Sequence, residues 1–275
     1  MSYKTILVHA QDDPAAHGRM RLALDLARLF EGTALGVAAE SWLPVTALPE
    51  FGYVPGEVMA DLERDALARL DRAKTEFLGL AREVGCGATC EALTDLPGEA
   101  VIGYARAADL IVASRPGELS SEGLVANPAH LVTAAGLPVL VAADNLASIS
   151  AEHVVVGWKD TRESRRAISE ALPFLKRAKG VTVAQVTSPG DGLDDVRKEL
   201  DEVAGRLLRH GVHAAPEVVP ASGHVCEALE SLAARKGSDL IVLGAYSHSR
   251  LRENVFGGVT QAILQRGAVH VLLSH

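Results

Sequence analysis

One order of segments is written twice along this chain of 275 residues. Short runs of Val, Ile and Leu alternate with stretches of helical periodicity, and that alternation narrows the fold more than any other feature. The first half opens with a strand at Thr5–Val8. Helical spacing follows over about 17–30 (Met20, Ala23, Leu26, Ala27, Phe30), then a strand at Ala34–Ala38. From about 57 to 84, Met59, Leu62, Ala66, Leu70, Ala73, Phe77, Leu80 and Val84 recur in steps of three and four, as on one face of a long helix. A strand at Thr89–Leu93, a short helix from Pro97, a strand at Leu110–Ala113, a helix opened by Asn127-Pro128 and a strand at Val139–Ala142 complete the half. The second half repeats the order. Its strands lie at Val154–Val156, Val181–Val186, Ala214–Val219, Leu240–Leu243 and Val269–Leu273. Its helices lie over about 164–178, 193–210, 225–235 and 259–266.

Each half therefore reads β-α-β-α-β-α-β-α-β, the pattern of a parallel sheet wrapped by helices. The expected fold class is α/β, with two tandem, doubly wound, five-stranded parallel sheets of Rossmann-like type. Thr5 and His153 are 148 residues apart and Asp109 and Asp239 only 130, so the first half carries about 18 extra residues. These fall in the Trp42–Pro55 stretch, which with Phe51, Tyr53 and its prolines reads as a lid or as a loop tucked on the sheet edge. The expected domains are 1–143 and 152–275, joined by a linker over 143–152.

Composition agrees. Hydrophobic residues make up 48% and aromatics only 4%, so Val, Leu, Ile and Ala must build the cores, as in buried parallel strands. The net charge of −8 lacks the basic footprint of a nucleic-acid binder and the attraction to anionic membranes. The N-terminus runs straight into a strand, unlike a signal peptide, and no apolar run reaches the roughly 18–20 residues of a membrane span. Three cysteines do not suggest a disulfide framework. A cytoplasmic location is expected.

The chemistry concentrates in Asp239–Thr260. An apolar strand gives way to a polar loop opened by Gly244, and Gly257-Gly258 opens a helix. Such a loop can turn backbone N–H groups toward a phosphate. The plainer reading is a tight helix start. His248, Arg250 and Arg252 could add charge there or form a solvated loop face. The first half has a weaker copy, Asp109-Leu-Ile-Val-Ala-Ser114. Metal binding is not indicated: Cys86 and Cys90 straddle a turn, His224 and Cys226 open a helix, His210 and His213 flank a helix end, and no set has zinc spacing. Nucleophile-elbow, Walker and dinucleotide fingerprints are missing.

Three stretches, Val154–Phe174, Ser222–Val242 and Gly244–Thr260, resemble the universal stress protein family. In the first half the likeness rests on element order, Ala108–Val112 and Leu137–Val141. The resemblance implies a tandem form in which the two halves pair through their last strands as a pseudo-dimer, with a homodimer of chains as a further option. It also implies that some members bind ATP through Gly-x2-Gly-x9-Gly followed by Ser or Thr. Gly244, Ser247, Gly257 and Gly258 fill those places here, so two of the four depart; Val259 and Thr260 follow, and Thr260 is close enough to replace the lost hydroxyl. The family's acid after the first strand maps to Asp160, whose plainer role is a helix cap or turn acid. Backbone at Val186 would line the adenine. In the first half Ser114 takes the first glycine's place, Asn127-Pro128 replaces the glycine pair, and Asp12 maps beside Asp160, so that half is expected to be degenerate and structural. The implied function is a stress-response protein binding an adenine nucleotide in its C-terminal half, with Mg²⁺ arriving on the nucleotide. Any hydrolysis would be slow, since no general base is evident. The alternative is an interaction or signalling module that binds no nucleotide. An enzyme acting on a small molecule beneath the Trp42–Pro55 stretch is a third reading.

Overall fold

A computed structural model describes residues 2–13, 15–41, 56–115, 117, 123–144, 148–221, 223–245 and 258–275. The Trp42–Pro55 insertion, Ser247, His248, Arg250, Arg252 and Gly257 lie outside the described residues. The chain divides into two units, Tyr3–Leu137 and one that includes Pro138–His275.

In the N-terminal unit the elements run β1 (Thr5–His9), α1 (Ala16–Leu29), β2 (Thr33–Ala39), α2 (Gly56–Val84), β3 (Ala88–Leu93), α3 (Pro97–Tyr104), β4 (Leu110–Ala113) and α4 (Pro128–Ala134). The strands are parallel, in the order β3-β2-β1-β4. Ile6, Leu7, Val8, Leu110 and Ile111 are wholly buried, as continuous apolar runs covered on both faces should be. The apolar stripe of α2 buries Ala66, Leu70, Ala73, Phe77, Leu80 and Val84. Phe77 packs against Gly36, where an added Cβ would come within 2.7 Å of its ring. Asn127 caps α4 by accepting the Ala129 N–H at 2.9 Å, with Pro128 at the first helical position.

The C-terminal unit contains β5 (Val139–Val141), β6 (His153–Gly157), α5 (Arg162–Leu175), β7 (Gly180–Thr187), α6 (Leu193–Arg209), β8 (Ala214–Pro220), α7 (Val225–Lys236), β9 (Leu240–Gly244), α8 (Gly258–Arg266) and β10 (His270–Ser274). Its strand order is β5-β10-β9-β6-β7-β8. The five strands β6–β10 are parallel, as expected from the alternation. The added strand β5 is antiparallel to β10, with Leu140 opposite Leu272. The strand that closes the first repeat thus pairs with the one that closes the second. All six of Val139, Leu140, Val141, Val271, Leu272 and Leu273 are fully buried. His270, also fully buried, holds the chain leaving β5: its Nδ1 accepts the Ala143 N–H at 3.1 Å, and its Nε2 lies 3.2 Å from the Ser148 carbonyl oxygen.

Each unit has one reversal of strand order, at β1/β4 and at β6/β9. In open α/β sheets the crevice outside the carboxyl ends of the strands at such a reversal is where ligands bind. The described helices include none long and apolar enough to cross a membrane.

Candidate functional site

At the β6/β9 reversal, Gly157 stands opposite Leu243 on one side and Ala184 on the other. A Cβ on Gly157 would press on Leu243 and Leu229, so that face of the row looks toward α7. Gly244 faces the opposite way. A Cβ there would fall 2.5 Å from the Ser164 nitrogen and 2.6 Å from the Glu163 carbonyl carbon. The first turn of α5 therefore rests directly on the end of β9, and only glycine permits that approach.

The helix that leaves β6 is capped by Thr161, whose Oγ1 accepts the Ser164 N–H at 3.2 Å. Asp160 is thereby not the cap. Its exposed carboxylate pairs with Arg165, with Nε 3.1 Å from Oδ1. Glu163 is 3% exposed and hydrogen-bonded to Arg162. Burial works against its charge, but hydrogen bonds from Arg162, its own backbone N–H and Thr161 outweigh that and hold its carboxyl below the usual range. Val186, half-buried in β7, lies opposite Val219.

Gly258 is the first residue of α8, and a Cβ there would meet nothing within 4 Å. A crossover helix between parallel strands runs against them, which puts the N-terminus of α8 at the carboxyl edge of the sheet. Val259 is exposed and Thr260 is 5% exposed. The sheet thus brings Asp160, Val186, Gly244 and the Gly258–Thr260 turn to one edge. Asp160 and Glu163, acids of this edge among the described residues, are engaged by arginines. A divalent ion here would fit only as a companion of bound phosphates. Among the described residues no three His, Cys, Asp or Glu side chains converge as metal ligands.

The same edge of the N-terminal unit is filled. Arg19, in the buried row Ala16-Arg19-Ala23-Leu26 of α1, is 1% exposed. Its Nε donates to the His9 carbonyl at 2.8 Å, its Nη1 to Ser114 Oγ at 2.6 Å and its Nη2 to Asp13 Oδ2 at 2.6 Å. The hollow lined by His9, Arg19, Val101, Ser114, Val125 and Leu131 is too narrow for a water molecule. His9 is buried against it. Desolvation, then the charge of Arg19, push its pKa from 6.5 to about 3, so it is a neutral imidazole. Its Nε2 faces the Ala39 carbonyl oxygen at 3.3 Å, and its Nδ1 has no partner among the described residues.

Sequence reasoning did not single out Arg19, Glu163, Trp158 or Gln185. Arg19 left a trace, a charge in an otherwise apolar row of α1. Trp158 and Gln185 left none, since only strand pairing makes them neighbours.

The profile of the Universal stress protein family matches residues 150–275. No curated protein sequence matches the chain. Among solved structures, a universal stress protein from Archaeoglobus fulgidus DSM 4304 superposes with a TM-score of 0.74 at 13% identity, covering 98% of this chain and 95% of that one. A functionally unknown protein from Pseudomonas aeruginosa PAO1 superposes with a TM-score of 0.58 at 14% identity, covering 99% of this chain and 92% of that one. Residues 150–275 thus form a domain of the universal stress protein family, in a chain that carries a universal stress protein fold along nearly its whole length.

Proposed function

We propose that the chain is a cytoplasmic stress-response protein that binds an adenine nucleotide, ATP in the first instance, at the carboxyl edge of its C-terminal unit. The observation that carries this reading is the pairing of Gly244, which lets α5 close onto β9 at the strand-order reversal, with a side-chain-free start to α8 at Gly258. Backbone N–H groups at Gly258, Val259 and Thr260, with Gly257 and Ser247 of the preceding loop, would hold the phosphates. Asp160 would turn from Arg165 to a ribose hydroxyl, and backbone at Val186 would face the adenine. Mg²⁺ would come with the triphosphate and supply charge neutralisation. Among the described residues of the site none is placed as a base toward an attacking water, so any hydrolysis would be slow. Arg19 argues against a second nucleotide in the N-terminal unit.

Titration calorimetry of the full chain with ATP and Mg²⁺ tests the reading. One nucleotide should bind per chain. Gly257→Val or Gly258→Val should weaken it by about ten-fold or more, with the fold intact. No heat at millimolar ATP would leave the other reading, an interaction module without nucleotide, which the Ser247 and Gly258 departures favour.

A further inference from the structure

Trp158 and Gln185 stand side by side at the edge just described. The Trp158 N–H donates to the Ala184 carbonyl at 2.7 Å, which continues the β6/β7 register by one residue and sets Trp158 opposite Gln185. On the other side the same register sets Trp158 opposite Gly244. One row thus runs Gly244, Trp158, Gln185 across three strands. Since Gly157 looks toward α7, alternation sends this row to the other face, where α5 rests on Gly244.

The two side chains share a further property. Trp158 is 8% exposed, and among the described residues its indole Nε1 has no hydrogen-bond partner; the Gln185 Oε1 is buried and has none among them either. Buried polar atoms are nearly always paired, and leaving them unpaired costs stability. One is a donor that cannot accept. The other is an acceptor that cannot donate. They sit on strands about 4.8 Å apart, and they do not satisfy each other.

We infer that Trp158 and Gln185 read the base of the bound nucleotide, the indole N–H donating to a purine ring nitrogen and the Gln185 carbonyl accepting from the neighbouring 6-amino group. The inference rests on the nucleotide reading above and adds its selectivity. Adenine offers an acceptor nitrogen beside an amino donor. Guanine and hypoxanthine carry an oxygen at the same carbon, and that oxygen would face the Gln185 oxygen with no proton between them. A site that holds out a fixed polar group rejects the analogue lacking its complement.

Calorimetry on the full chain with ATP, ITP, purine riboside triphosphate and inorganic tripolyphosphate tests this. The unaltered protein should prefer ATP over ITP and over purine riboside triphosphate, which lacks the amino group, by about ten-fold or more. Gln185→Met should abolish most of that preference while leaving purine riboside triphosphate and tripolyphosphate unchanged. Trp158→Phe should weaken every purine triphosphate by about five-fold or more and spare tripolyphosphate. The comparison of ligands on the unaltered chain stands even if Trp158→Phe does not fold. ATP bound no better than ITP, or preference intact in Gln185→Met, would overturn the inference and leave the nucleotide site standing. Failure of the unaltered protein to bind ATP or tripolyphosphate would overturn both.

Discussion

Arg19 and Asp13 form an ion pair with 2.6 Å between Nη2 and Oδ2, and their side chains are 1% and 5% exposed. It lies where the N-terminal unit reverses its strand order, at the point where the C-terminal unit has a glycine against a helix turn. The residue 148 positions on from Arg19 is Ala167, also buried. An internal cation, held by the His9 carbonyl, Ser114 and Asp13, thus stands in a place that is small and apolar in the second repeat. Removing one partner of such a pair strands the other's charge. Arg19→Ala should therefore cost about 3–5 kcal/mol in urea unfolding, and the Arg19→Ala, Asp13→Ala double change much less than the sum of the singles. Additive losses would show that the pair is not coupled.

The two motif glycines of the C-terminal unit should separate under substitution. Gly244→Ala must push backbone at Glu163 and Ser164, so a loss of about 1–3 kcal/mol is expected in thermal or urea unfolding. Gly258→Ala meets open space at a helix start and should leave stability level or raise it by up to about 1 kcal/mol. Equal losses at both positions would mean that α5 does not close on β9 as described.

Asp109 and Asp239 occupy matching places but bond differently. Asp109 accepts the Lys4 and Thr5 N–H groups, both on Oδ2, at 2.7 and 2.9 Å. Asp239 uses both oxygens, Oδ2 for the Ser150 N–H at 2.6 Å and Oδ1 for the Ala151 N–H at 3.0 Å. An asparagine carbonyl can keep both bonds at position 109, whereas at 239 its amide must face an N–H. Asp239→Asn should cost about 1–3 kcal/mol and Asp109→Asn clearly less, by denaturant midpoints at neutral pH. Ala151, at φ +46°, is held in a left-handed conformation beside that carboxylate, so relief of its strain offsets part of the loss at 239.

His9 should make the fold sensitive to acid. Its pKa is about 3 in the folded chain against 6.5 when unfolded, through burial first and the Arg19 charge second; Asp13 acts in the opposite direction. The unfolded chain therefore binds the extra proton between these values. The contribution is complete above pH 6.5 and is lost as pH falls from 6.5 toward 3, on the order of a few kcal/mol in all. Urea midpoints at pH 7 and 4.5 should differ more for the unaltered protein than for His9→Gln. An equal difference would remove His9 as the cause.

Much of this was legible in the residues because buried parallel strands are apolar without interruption. Val154–Val156 and Leu240–Leu243 admit few other readings, and Asn127-Pro128 announces the start of α4. The cap of α5 was less legible. Asp160 and Thr161 are both capping residues, and only backbone geometry selects Thr161. The antiparallel setting of β5 is invisible to periodicity, which reports the faces of a strand and not its neighbours. The filled edge of the N-terminal unit was half-visible: Ser114 and Pro128 marked a departure, but that Arg19 turns inward depends on where Asp13 and Ser114 come to rest. Trp158 and Gln185 are 27 positions apart and become neighbours only through pairing of β6 with β7.

The β5–β10 pair bears on how the protein can be cut. A fragment begun at the linker would keep the matched stretch 150–275 yet discard Val139–Val141. The backbone amides and carbonyls of Val271–Leu273 that face β5 would then be bare along an apolar rim, a template for pairing with any extended chain. Expressed alone, that piece is expected to self-associate or precipitate.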